Sequence, residues 1–186
     1  MKMTYLKALS GCIAVAVGTL FLNVASANGP DPANLVGVKT CGICHKKDET
    51  GNQLAKWQAS PHAKAFETLG TPAAKEAGKK AGVDDPQKSG KCLKCHATSH
   101  FFTEASVTDK IKPEDGVTCE SCHGPGKKYM AKATMEDQAK SIAAGLIHPP
   151  TQQCKLCHNE QSPTFKGFDE KSYVEKIAHP NPAAKK

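Results

Sequence analysis

Apolar residues crowd the start of this chain and are thinly spread through the rest. After Lys2 and Lys7, the stretch from Ala8 to Val24 is mainly apolar, and the small residues Ala25-Ser26-Ala27 follow it. That succession is the pattern of a secretory signal cut before Asn28. Ser10, Gly11, Gly18, Thr19 and Asn23 interrupt the run and leave it short of a comfortable span, which makes a retained anchor the weaker alternative. Leu9-Ser10-Gly11-Cys12 has the letters of a lipid-attachment site but precedes the apolar stretch instead of following it. Residues 1–27 are therefore read as a cleaved signal and residues 28–186 as one domain, exported to the periplasm or beyond, with no stable membrane insertion.

Beyond the signal, alternating Val- and Ile-rich runs are nearly absent, so strands are not expected. Ser60-Pro61 opens a helical segment through Leu69, and Thr71-Pro72 opens another through Ala81; each pairs a capping residue with proline at the first helical position. Residues 127–144 read as a helix or two ending at Gly145, where a C-terminal cap belongs. A last short helix is predicted over 169–177, stopped by Pro180. Segments 82–91, 104–118 and 159–168 carry Gly, Pro, Asp and Ser and read as loops. The predicted fold class is mostly α with extensive coil.

Composition makes this fold hard to hold together by side chains alone. One Trp, two Tyr and five Phe give the mature chain a thin conventional core. Some other apolar mass is needed, and the cysteines say what supplies it.

Cys-x-x-Cys-His occurs four times: Cys41-Cys44-His45, Cys92-Cys95-His96, Cys119-Cys122-His123 and Cys154-Cys157-His158. On a helical turn, cysteines at i and i+3 present both thiols to one side, where they can form thioethers with haem vinyl groups. The histidine at i+4 then supplies the proximal imidazole to the iron. Zinc ribbons and disulfides need no histidine after each cysteine pair. Loss of Cys12 with the signal leaves eight cysteines, two for each of four covalently bound haem c groups. A small multihaem cytochrome c fold organised around four packed haems follows, poorly folded without them.

The remaining histidines are His62, His100, His148 and His179, one further imidazole per haem. Four bis-histidine irons would be coordinatively saturated, which favours electron transfer over substrate binding. His179 would be a ligand delivered by the last helix, against a solvated tail residue. His100 stands only four residues from His96, too close to reach the far face of its own haem; a neighbouring haem or a propionate is the alternative.

The chain resembles the tetrahaem cytochrome c-554 family over most of residues 38–160. The more specific matches are His62-Ala63-Lys64-Ala65-Phe66-Glu67-Thr68-Leu69 and Gly116-Val117-Thr118-Cys119-Glu120-Ser121-Cys122-His123-Gly124-Pro125-Gly126. The resemblance implies an electron carrier in which His62 is distal ligand to the third haem and His148 to the fourth. It also implies a distal histidine for the first haem about ten residues past His123, where this chain has Ala133 with Met130 and Met135 nearby. A methionine ligand there would raise that haem's potential, while packing against porphyrin is the plainer role. The family's second haem, here held by His96, is typically five-coordinate.

All 25 basic residues are lysine, and the formal charge of +7 falls to +5 once Lys2 and Lys7 leave with the signal. Dispersed lysines suit loose, salt-sensitive docking to redox proteins, as a monomer or weak oligomer. No basic patch is interleaved with aromatics, so nucleic acid is not an expected partner. No nucleophile elbow, phosphate loop or metalloprotease motif appears. The alternatives to a carrier are a small enzyme reducing a nitrogen oxide at an open haem, and a protomer of a conductive filament.

Overall fold

A computed structural model of the chain describes residues 31–102 and 108–182. The predicted signal and Cys12 lie outside the described residues. Eleven α-helices occur among the described residues, none longer than the nine residues of α4, and no strand accompanies them. They are α1 (Val38–His45), α2 (Gln53–Gln58), α3 (Ala65–Thr68), α4 (Pro72–Lys80), α5 (Gly90–His96) and α6 (Thr98–Phe101). After them come α7 (Cys119–His123), α8 (Lys132–Met135), α9 (Gln138–Ala143), α10 (Thr151–Cys157) and α11 (Glu170–Ile177). No described helix is long and apolar enough to cross a membrane.

Local chemistry explains where these helices begin and stop. Thr71 accepts from Ala74 N and sets Pro72 at the first position of α4, as its sequence predicts. Asp169 caps α11 by accepting from Ser172 N at 2.7 Å. The segment opened by Ser60-Pro61 begins as a 3-10 turn over Pro61–Lys64 and becomes α3 only afterwards. Residues 127–144 break further than expected, into a 3-10 turn over Gly126–Lys128, then α8, then α9. Asp137 accepts from Lys140 N and so starts a new helix where a continuous one would have run through. Gly145, at φ 107°, ends that run as predicted.

Each Cys-x-x-Cys-His motif sits at the C-terminal end of a helix. His45, His96 and His123 are the last residues of α1, α5 and α7, and His158 follows α10 as its cap. The four attachment helices touch in the order α1, α7, α10, α5, which is first, third, fourth and second along the chain.

The side-chain core is as thin as composition suggests. Among the described residues, eight apolar residues are buried against seven polar ones, and the one apolar cluster is Leu69, Leu93 and Ala97 with Phe66 and Cys92 beside it. Polar bonds fix much of the rest. Thr98 is fully buried; its hydroxyl lies 2.8 Å from Ser121 Oγ and 3.0 Å from Thr118 Oγ1, and accepts from Thr118 N at 2.7 Å. This knot joins the start of α6 to the entry of α7. Thr98→Val keeps the shape and strands the Thr118 amide, and is expected to cost about 1–3 kcal/mol, read as a lower denaturation midpoint of the holoprotein. An unchanged midpoint would mean that the knot is not holding α6 against α7.

Candidate haem-binding sites

The thiols of different motifs meet. Cys41 of α1 and Cys119 of α7 lie close enough to shift each other's ionisation, as do Cys95 of α5 and Cys157 of α10. Cys41 is pushed well above the usual thiol range, first by its contact with Cys119 and then by burial, while Cys119 is lowered by the same contact. Burial pushes Cys122 up to about 11, with Cys154 and Cys119 adding to it. None of the eight motif cysteines is in a disulfide. Burial favours the neutral thiol at Cys92, Cys122 and Cys154, whereas Cys95 and Cys119 are lowered by their neighbours Cys157 and Cys41.

Three motif histidines hold their Nδ1 against an acceptor. His96 Nδ1 lies 2.8 Å from Ala65 O and His123 Nδ1 lies 3.2 Å from Ile147 O. A carbonyl only accepts, so each ring carries its proton on Nδ1 and leaves Nε2 free for a metal. His45 Nδ1 lies 3.3 Å from Gln53 Oε1, and the amide is oriented by its own bond from Nε2 to Thr50 O. His158 is positioned differently, stacked on Phe168 at 4.7 Å with Tyr173 edge-on at 5.8 Å. Burial lowers the pKa of His62, His123 and His158, keeping the imidazoles neutral, the form that binds iron.

Two of these rings face a second imidazole. His62 stands opposite His158 and His179 opposite His123, each with ring centroids 6.0 Å apart and planes near perpendicular, at 73° and 74°. A metal–nitrogen bond of about 2 Å on each side, plus the distance from each nitrogen to its ring centre, gives a separation of roughly 6 Å. Both centroid separations match that length. Among the described residues no three His, Cys, Asp or Glu side chains gather as a conventional metal site. The imidazoles meet in opposed pairs instead.

The remaining candidates are placed elsewhere. The resemblance assigns His62 to the third site, whereas its ring is across from the histidine of the fourth. His148 is exposed, its Nδ1 3.1 Å from Gln138 Nε2. His100 Nδ1 lies 2.9 Å from its neighbour Ser99 Oγ. Met130 is 49% exposed, and Met135 is half-buried at the end of α8. Among the described residues, neither His45 nor His96 is faced by a second ring in the manner of the two pairs.

The two segments that carry the resemblance meet in space. Val117 N donates to His62 O, and Trp57 Nε1 donates to Val117 O at 2.8 Å. Gly116, at φ 68°, passes so close that a Cβ there would come within 2.7 Å of His62 O, so only glycine lets α7's entry strap His62 in place. The tail is seated similarly: Gly51 has φ 101°, and its Cβ would lie 2.5 Å from Pro180 O, next to His179. Sequence reasoning missed Gln53, Phe168 and Tyr173, which reach a motif histidine from eight to fifteen residues away, and Glu120, which acts through residues more than eighty away. The x-x letters of the third motif held the one available clue, a carboxylate at a position that usually faces outward.

Paired thiols at helix ends, neutral opposed imidazoles and a core too thin to stand alone define a helical multihaem c-type cytochrome. The comparisons agree. Residues 40–124 match the family described as cytochrome c554 and c-prime. Cytochrome c-554 of Nitrosomonas europaea is 30% identical over 178 residues, an alignment covering 87% of this chain and 73% of that protein. The solved structure of reduced cytochrome c554 from the same organism superposes with a TM-score of 0.54 at 27% identity, covering 80% of this chain and 79% of that one. The chain belongs to the cytochrome c-554 family, and covalently bound haem c comes with that membership.

Proposed function

We propose that this protein is a periplasmic tetrahaem electron carrier, moving electrons singly between redox proteins through four haems attached at Cys41/Cys44, Cys92/Cys95, Cys119/Cys122 and Cys154/Cys157. The observation that carries the reading is the contact order of the attachment helices, α1 to α7 to α10 to α5, reinforced by the thiol contacts Cys41–Cys119 and Cys95–Cys157. All four sites form one continuous line. The haems supply reversible one-electron Fe(III)/Fe(II) chemistry. His45, His96, His123 and His158 would hold the irons proximally. His62 and His179 would close the fourth and third sites, and so exclude substrate there. Residues 1–27 would direct export and be removed, leaving residues 28–186 as a single domain.

The five-coordinate second haem that the family resemblance implies at His96 favours a second reading, a nitrogen-oxide reductase at that site. Reductive titration separates the two. A carrier takes up four electrons per chain and returns them to an external oxidant, with no steady consumption of nitric oxide under turnover. Catalytic loss of nitric oxide would replace the carrier reading with the reductase, and fewer than four electrons would remove the four-haem count.

A further inference from the structure

Glu120 is the one carboxylate buried inside a haem-attachment motif, at 1% exposure. It lies between Cys119 and Cys122, and it accepts only from backbone amides. Oε1 takes Val36 N at 2.9 Å and Gly126 N at 2.8 Å; Oε2 takes Gly37 N at 2.8 Å and a longer bond of 3.2 Å from Val36 N. Both oxygens act as acceptors, the bonding pattern of an ionised carboxylate. Val36 and Gly37 lead directly into α1, which carries the first motif. Gly126 follows the third. The carboxylate is thus set at the junction of the first and third attachment sites, and among the described residues no lysine pairs with it.

We infer that the Glu120 carboxylate is a fixed buried charge that holds down the reduction potentials of the haems at the first and third sites. The inference rests on the four-haem reading. Ferric haem carries one more positive charge than ferrous, so a desolvated anion nearby favours the oxidised state. Its four amide bonds position that charge and compensate it only in part. The field is local: the Cys41 thiol, raised first by its contact with Cys119 and by burial, and the Tyr129 hydroxyl, raised first by burial, are each pushed further up by Glu120.

Glu120→Gln in the haem-loaded protein, titrated potentiometrically with optical and EPR detection, tests this. Two of the four couples are expected to shift toward the reduced form by about tenfold, ~59 mV for a one-electron couple, with the other two unmoved. Glu120→Asp keeps the charge and is expected to leave all four near wild type. Equal shifts in Gln and Asp, shifts in every couple, or none in Gln, overturn the proposal. Should Glu120→Gln fail to load haem, Val36→Pro deletes an amide donor while leaving the carboxylate. The same two couples must then move toward the oxidised form, and an unmoved pair overturns the proposal. Haem content is read by pyridine haemochrome; a wild-type count below four overturns the functional reading instead.

Discussion

Expressed without haem attachment, with all eight motif cysteines changed to serine, the chain is expected to lose cooperative folding altogether. Its helices run from four to nine residues, well under the roughly 12–15 needed for a helix to persist alone in water. Their stability must come from what they bury. Leu69, Leu93 and Ala97 form a cluster far too small to hold eleven such pieces, and buried polar residues nearly equal the apolar ones. Substituting serine for cysteine also removes small hydrophobes from the places where α1 meets α7 and α5 meets α10. Far-UV circular dichroism should report a chain near the unfolded level with no sigmoidal melt. A cooperative transition in this variant would show that the side chains suffice, and that haem is a passenger in the fold.

His62→Ala is expected to convert one haem's share of the iron from low-spin to high-spin and to let that haem bind carbon monoxide when reduced. The reasoning is geometric. His62 is the imidazole that faces His158, whose other described ring neighbours are Phe168, stacked on it, and Tyr173, edge-on to it. His148→Ala should leave the spin state unchanged, because that ring is exposed beside Gln138. The paired variants thus decide between the 6.0 Å pairing and the assignment implied by resemblance. Under the assignment implied by resemblance both variants gain a high-spin haem, so a gain in His148→Ala would sink the pairing.

How much of this was readable beforehand depends on the range over which each feature is encoded. Local chemistry was legible: Thr71-Pro72, Asp169 and Gly145 mark helix ends through bonds to residues within a turn or so, and the structure uses all three. The attachment motifs were legible for the same reason. Residues 127–144 read as a helix or two because their helical propensity is adequate, and the Asp137 cap sets where the second one starts. Partner assignment is encoded differently. Which haem site His62 faces depends on Gly116 and Val117 gripping its backbone from more than fifty residues away, and no local pattern reports that. Glu120 was hidden by its motif. An acidic letter between two cysteines reads as solvent-facing until the amides of residues 36, 37 and 126 are seen to converge on it.

The contact order α1, α7, α10, α5 also fixes a timetable for assembly. During synthesis the chain lays down its two outer sites first and its two inner sites last. Until α10 emerges, the first and third sites on one side and the second on the other have no attachment helix between them. The fourth motif is the coupler, and α11 then carries His179 back to His123 and seats Pro180 on Gly51 of the first site. The C-terminal quarter is therefore a latch: it joins the two halves of the line of attachment helices and closes over one of them, so on the proposed four-haem reading an incompletely made chain would not conduct from end to end.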